Sequence, residues 1–165
     1  MSVEYLVEFA DSAMLALSLA ERESTHLHYT YRTLFTEAID LIWVVSLANR
    51  EDLAEKIDAF VGRFGRLQDQ IGEKLFPAFA RLTGGQPKSL LDAVAFAERM
   101  AWLDNAEAFI GARRLRNLLV HEYMTDPKLF LEAIEAARPA TEHLMGIVAT
   151  MKQEAVRLGL YERTK

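Results

Sequence analysis

Residues 53–82 read LAEKIDAFVGRFGRLQDQIGEKLFPAFARL. Within this stretch Leu53, Ile57, Phe60, Val61, Phe64, Leu67, Ile71, Leu75, Phe79 and Leu82 recur every three or four residues, the spacing of one apolar face of an α-helix. Asn49 is placed to cap the start of this helix, with Asp52 in its first turn. Pro77 removes a backbone donor and predicts a kink, and Gly84-Gly85 stand where a C-terminal cap belongs. A chain with this element at its centre must bury the stripe against further helices.

The same spacing extends in both directions. From Val3 to Glu21, the residues Leu6, Phe9, Ala10, Ala13, Leu17 and Ala20 form a helical stripe. Ser24 and Thr25 can cap a second helix through Tyr29, Leu34, Ile39, Ile42 and Val45, although one long bent helix reads equally well. Downstream, Ser89 followed by Asp92 forms a capping pair for a helix through Val94, Phe96, Met100 and Leu103. Asp104 or Asn105 then caps a helix over residues 106–124. Asp126-Pro127 opens the last helix, which Pro139 is expected to interrupt, and a frayed tail is expected after Gly159. No strand-like alternation, repeat or linker occurs. The expectation is an all-α, antiparallel up-and-down helical bundle of five or six helices. It forms a single domain over 1–165, with a core at 50–158 and residues 1–49 as extra or extended N-terminal helices.

Composition narrows the chemistry. The 165 residues are 51% hydrophobic, enough for a sizeable core, and contain no cysteine. Thiol nucleophiles, disulfides, iron–sulfur clusters and cysteine-ligated zinc are therefore excluded. The net charge of −5, from 19 basic and 24 acidic residues, rules out a basic field over the whole surface. The longest apolar run, 41–48, is too short to span a bilayer. The early apolar patch 13–20 follows Glu4, Glu8 and Asp11, where a secretory leader carries cations. Both points predict a cytoplasmic protein without a membrane role.

No phosphate-binding glycine loop, Rossmann fingerprint or His-Glu-x-x-His pattern is present, and the residues three before His121 and His143 are Leu118 and Ala140 rather than glutamates. No metal or other cofactor is expected. His26 and His28 would point about 200° apart on a helix and so cannot share a metal from a regular helix; they read as solvated or core-edge residues, as does His143. Trp43, Trp102 and the phenylalanines at 60, 64, 76, 79, 96 and 109 read as core or interface packing.

One segment stands apart: Arg113-Arg114-Leu115-Arg116-Asn117-Leu118-Leu119-Val120-His121-Glu122-Tyr123. On a helical wheel Ala108, Ala112, Leu115, Leu119 and Tyr123 share an arc of roughly 80°, suited to a bundle core. Phe109, Val120, Arg113, Met124, Asn117 and His121 fill a second arc of roughly 140° from Arg116. This second face interleaves Arg, Asn and His with apolar side chains, as a partly buried interface with a polar pocket does. Histidine exchanges protons near neutral pH, and arginine holds a phosphate or phosphorane bidentately. Asn117 lies one turn before His121 and can orient it. These groups suffice to cleave RNA without a metal, because the ribose supplies its own nucleophile. A symmetric dimer would bring two copies of His121 together as separate acid and base. The plain alternative is that Arg116 and His121 are ordinary polar residues at a helix edge.

Arg116-Asn117-x-x-x-His121-x-Tyr123 resembles the Arg-x4-His-x-Tyr signature of HEPN-domain proteins, with the Asn that often follows the Arg. The similarity is greatest to HepT-type toxins, the ribonuclease partners of minimal nucleotidyltransferase (MNT) antitoxins. The likeness covers residues 50 to 150. It implies an all-α bundle that dimerises across a cleft, with Arg116 and His121 as the catalytic pair and Asn117 and Arg113 in support. It further implies an RNA substrate and an MNT-type nucleotidyltransferase antitoxin that adenylylates Tyr123. The alternative within the same resemblance is a non-catalytic HEPN-like partner that binds nucleotide or docks a nucleotidyltransferase. A bundle carrying the motif by coincidence is the third reading.

Overall fold

The computed structural model describes residues 4–121 and 125–163, and for His121 the backbone alone. Among these residues there is no strand. The helices are α1 (Ala10–Leu34), α2 (Leu41–Ser46), α3 (Glu51–Asp69), α4 (Phe76–Leu82), α5 (Leu90–Arg99), α6 (Ala106–His121) and α7 (Pro127–Arg157). A π-helical stretch, Gln70–Leu75, joins α3 to α4 without a break, so the described residues hold six helical rods packed against each other. The all-α expectation holds. No helix among the described residues is long and apolar enough to cross a membrane.

Several element boundaries differ from expectation, each for an identifiable reason. Of the two readings left open for the N-terminal residues, one helix across Ser24 and Thr25 is the one present: α1 runs through them because its buried stripe is continuous, with Ala13, Leu17, Ala20 and Leu27 all at 1% exposure or less. Burial of a long apolar stripe outweighs the capping preference of two polar residues. The helix stops at Leu34 rather than passing through Ile39 to Val45. The short α2 begins afresh from Asp40, whose carboxylate accepts the Trp43 amide at 2.8 Å. Asn49 does not cap α3; it closes a 3-10 turn, Leu47–Asn49, and α3 begins at Glu51. At Pro77 the chain answers the missing donor with the π-turn, in which the Phe76 amide reaches back five residues to Ile71. The extra residue falls just ahead of the proline ring, which would otherwise press on the carbonyl four residues earlier. α5 ends at Arg99, not at Leu103. Pro139 lies inside α7 without interrupting it. The segment after Gly159 forms a 3-10 turn, Leu160–Glu162, with Leu160 buried and Arg163 paired to Asp11.

By contrast, the caps read from sequence at three places are present. Gly84, at φ 96°, and Gly85 close α4 with a Schellman pair: Gly85 N–H to the Ala80 carbonyl at 2.7 Å and Gly84 N–H to Arg81 at 3.2 Å. The Ser89 hydroxyl accepts the Asp92 amide at 3.1 Å, while the Asp92 carboxylate accepts from Lys88 N–H. Asp126 accepts the Leu129 amide at 3.1 Å, with Pro127 as the first residue of α7.

The chain divides into two compact units. One comprises residues 1–22, 69–106 and 145–165. Its aromatic centre is Trp102, 1% exposed, ringed by Phe76, Phe79 and Phe96 at centroid distances of 6.4, 6.0 and 5.5 Å. Phe96, read from sequence as core or interface packing, is half-buried. The other unit comprises residues 23–68 and 107–144 and carries the arginine- and histidine-bearing segment. In it Glu23, Thr30 and Phe35 of α1 and the loop after it meet Arg66, Arg63 and Phe60 of α3 in reverse order. These contacts make α1 and α3 antiparallel neighbours. Tyr31 and Phe35 likewise meet Glu142 and Arg138 of α7 in reverse order. Phe60, Phe64 and Phe109 are fully buried there, each such side chain contributing about 1.5–3 kcal/mol by leaving water.

Candidate functional site on helix α6

Helix α6 starts where Glu98, at the end of α5, accepts the Ala106 amide at 2.8 Å, a carboxylate placed favourably against the helix N-terminus. Its buried face is Phe109, Ala112, Leu115 and Leu119, at 0, 3, 9 and 1% exposure. This corrects the wheel reading at two positions. Phe109, expected on the polar arc, is the deepest residue of the helix, and Ala108, expected in the core, is exposed. The true core axis is rotated toward Arg116, because α3 rather than solvent lies on that side. The Phe109 carbonyl accepts a bond of 3.3 Å from the Gln68 amide of α3, a glutamine with no exposed surface, whose Oε1 has no partner.

Arg116 is therefore half-buried in the α3–α6 seam. Its side chain lies over Gly65 of α3, close enough that a Cβ on Gly65 would come within 2.6 Å of the guanidinium Nε. Since Gln68 meets Phe109 and α3 and α6 run antiparallel, the arginine reaches Gly65 by leaning toward the start of its own helix. Arg113 is also half-buried, with its Nη1 shut off from solvent. Asn117 and Arg114 are exposed, and Val120 is 55% exposed. His121 is the last residue of α6. The positions of its imidazole and of Tyr123 and Met124 lie outside what the structure describes. Arg113, Arg116, Asn117 and His121 thus share one helix, with Arg113 half-buried, Arg116 turned into the seam and Asn117 turned out.

Two further arginines stand on α3 in the same unit. Arg63 donates to the Thr30 hydroxyl at 2.5 Å and to the His26 carbonyl at 3.2 Å. Arg66 pairs loosely with Glu23, at 3.4 Å, and its Nη1 lies 3.3 Å from where a Cβ on Gly62 would sit. Sequence reasoning passed over these residues while counting the apolar period of 53–82. The signal was available: Gly62-Arg63-Phe64-Gly65-Arg66 repeats Gly-Arg at a spacing of three, inside a helix where each glycine costs about 1 kcal/mol.

Elsewhere, His26 and His28 are exposed, as the solvated reading has it. Among the described residues no three His, Asp or Glu side chains gather into a metal-sized group. On the far side of α6 a largely apolar groove of about 450 Å³ runs between α6 and α7, from Gly111 and Leu118 to Pro139, with Arg114 and the half-buried His143 at its edge.

Compared with known proteins, the chain matches no family model, no curated protein and no solved structure.

Proposed function

We propose that this chain is a metal-independent endoribonuclease of the HEPN type, the toxin component of a cytoplasmic toxin–antitoxin pair, with its active site at a homodimer cleft. The reading is carried by Arg116, Asn117 and His121 standing in the Arg-x4-His spacing on one uninterrupted helix. In this mechanism the ribose 2′-hydroxyl attacks the adjacent phosphorus, and one His121 accepts its proton. The bond from phosphorus to the 5′-oxygen breaks, and a second His121, from the symmetry-related subunit, protonates the departing oxygen. Arg116 meets the charge that builds on the phosphorane oxygens, and Asn117 orients the imidazole or the substrate. The products are a 2′,3′-cyclic phosphate and a 5′-hydroxyl. An MNT-type nucleotidyltransferase antitoxin silences the enzyme by adenylylating Tyr123, setting bulk and negative charge where RNA phosphate must pass.

The alternative is a non-catalytic HEPN-like protein that binds nucleotide or docks a nucleotidyltransferase. One observation favours it: Arg116 packs over Gly65 in the α3–α6 seam, a position in which it serves the fold whether or not it meets a phosphorane. Cleavage of a labelled RNA pool in EDTA, by wild type and His121→Ala in parallel, separates the two. The nuclease reading expects cyclic-phosphate ends from wild type and a rate at least about 100-fold lower from the variant, the usual contribution of a general acid–base group. Equal cleavage by both proteins, or none by a wild-type dimer free of AMP on Tyr123, sinks the nuclease reading and leaves the docking one.

A further inference from the structure

Residues 24–36, which form the second half of α1 and the turn after it, contain no carboxylate, in a chain where 24 of 165 residues are acidic. Leu27, Thr30 and Leu34 turn inward and are buried. Helical geometry then gathers Thr25, His28, Tyr29 and Arg32 on the outward side, all exposed, with exposed His26 at the edge. Both leucines of the stretch are buried, so this outward face holds no aliphatic side chain. Tyr29 is 57% exposed. One aromatic ring in solvent is ordinary by itself, but this one stands with a cation. The Arg32 guanidinium carbon lies 5.7 Å from the ring centre, a cation–π distance, and among the described residues no carboxylate pairs with it. Both flanks of the helix are pinned. Arg63 of α3 donates to the Thr30 hydroxyl and the His26 carbonyl, and the Tyr31 hydroxyl donates to Glu142 of α7 at 2.9 Å. Glu23, on the α3 flank, pairs with Arg66. The carboxylates bonded at the borders of the face are thus directed to other groups, and the face itself is held in place.

We propose that this face of α1 is a platform for single-stranded RNA, on which a base stacks against Tyr29 while Arg32 takes a neighbouring phosphate. The proposal rests on the ribonuclease reading and names residues outside α6 that hold its substrate. Every base has a flat face, so stacking on a tyrosine tolerates any sequence. The guanidinium meets a phosphate with paired donors, and the absence of carboxylates from the face spares the strand a repulsion that the acidic chain imposes elsewhere. A protein partner would need apolar side chains to bury at the centre of the contact, and this face offers the Tyr29 ring alone.

The test is binding of a labelled single-stranded 2′-O-methyl RNA, which cannot be cleaved by 2′-hydroxyl attack, measured by fluorescence anisotropy over 50–200 mM salt. An abasic strand of the same length, with the phosphates but not the bases, is measured alongside. Wild type is compared with Tyr29→Ala, Tyr29→Phe, Arg32→Ala and Arg157→Ala, the last removing an exposed arginine paired to Glu154 in the other unit. Tyr29→Ala should weaken binding of the RNA at least about 5-fold, the loss of one stacked base, with the salt slope unchanged. It should leave binding of the abasic strand as it is in wild type. Tyr29→Phe keeps the ring and should bind as wild type does. Arg32→Ala should weaken both strands about 3- to 10-fold and reduce the salt slope by about 0.7, the loss of one phosphate contact on a single strand. Arg157→Ala should match wild type. A Tyr29→Phe as weak as Tyr29→Ala, or an Arg32→Ala with an unchanged salt slope, overturns the proposal. So does an absence of RNA binding by wild type or an unchanged Tyr29→Ala, and either of these leaves the face to a protein partner. The ribonuclease reading is judged separately by cleavage with His121→Ala: binding that follows this pattern without cleavage removes the nuclease and leaves the platform, and cleavage without this pattern does the reverse.

Discussion

Ala101 holds the left-handed conformation, φ 59°, at the point where α5 ends. The Trp102 amide reaches the Ala97 carbonyl at 2.9 Å and the Ala101 amide reaches Glu98 at 3.0 Å, the same pair of bonds that Gly84 and Gly85 make at the end of α4. A side chain in that region costs about 1–2 kcal/mol, part of which glycine returns through its freer unfolded state. Ala101→Gly is therefore expected to stabilise the chain by up to about 1 kcal/mol, seen as an upward shift of the urea midpoint. Gly84→Ala, where a Cβ would touch nothing, should cost a similar amount through conformation alone. A destabilised Ala101→Gly would mean that the alanine methyl contributes packing which outweighs the strain. The contrast also shows what sequence reading reaches at this scale. Gly84-Gly85 was legible because glycine advertises the left-handed cap. The Ala101 cap was not, since alanine gives no such sign and the turn is imposed by burial of Trp102. The same holds at the candidate site. The spacing of Arg116 and His121 is written in the chain, but the seat of Arg116 over Gly65 depends on which helix lies alongside.

Helices were legible wherever a buried stripe repeated over three or more turns, as in α3 and in the first half of α1. Their ends were harder to read, because local signals compete there with packing. Ser24 and Thr25 look like a helix start, yet Leu27 and Thr30 continue the buried face straight through them. The two prolines show the competition most directly. Pro77 is met by a π-turn that shifts the backbone register by one residue. Pro139 is exposed and carried inside the unbroken α7, leaving the Glu135 carbonyl without the amide that would normally serve it. Such a proline costs a helix about 3 kcal/mol relative to alanine. Pro139→Ala should accordingly raise stability by about 1–3 kcal/mol, read from denaturant unfolding followed by circular dichroism. A loss of stability instead would show that the packing of α7 requires the bend that the proline imposes, and the lining of the α6–α7 groove would then owe its shape to Pro139.

At the level of the whole molecule, α1 and α7 and the rod of α3 and α4 each contribute residues to both compact units. Loss of either unit breaks helices that continue into the other, so unfolding should be one cooperative transition. Two tyrosines allow this to be tested through pH. Burial, and then the hydrogen bond to Glu142, hold the Tyr31 phenol above its ordinary value of 10.0. Burial, and then the nearby Glu21 carboxylate, raise Tyr161 in the same direction. Tyr31 belongs to the unit built on 23–68 and 107–144, and Tyr161 to the other. In the unfolded chain both phenols lose their protons near pH 10, while the folded chain keeps them to higher pH. Above that pH the unfolded state binds fewer protons than the native state, so stability falls as pH rises. The contribution is fully present below about pH 10 and disappears as pH climbs through the raised folded values. Urea midpoints for wild type, Tyr31→Phe and Tyr161→Phe at pH 8 and pH 11 should therefore fall less in each variant than in wild type. If the molecule unfolds as one body, both substitutions flatten the decline of a single shared transition, whichever unit carries them. Two transitions, each responding to only one of the tyrosines, would show that the units unfold apart and that the shared helices do not couple them.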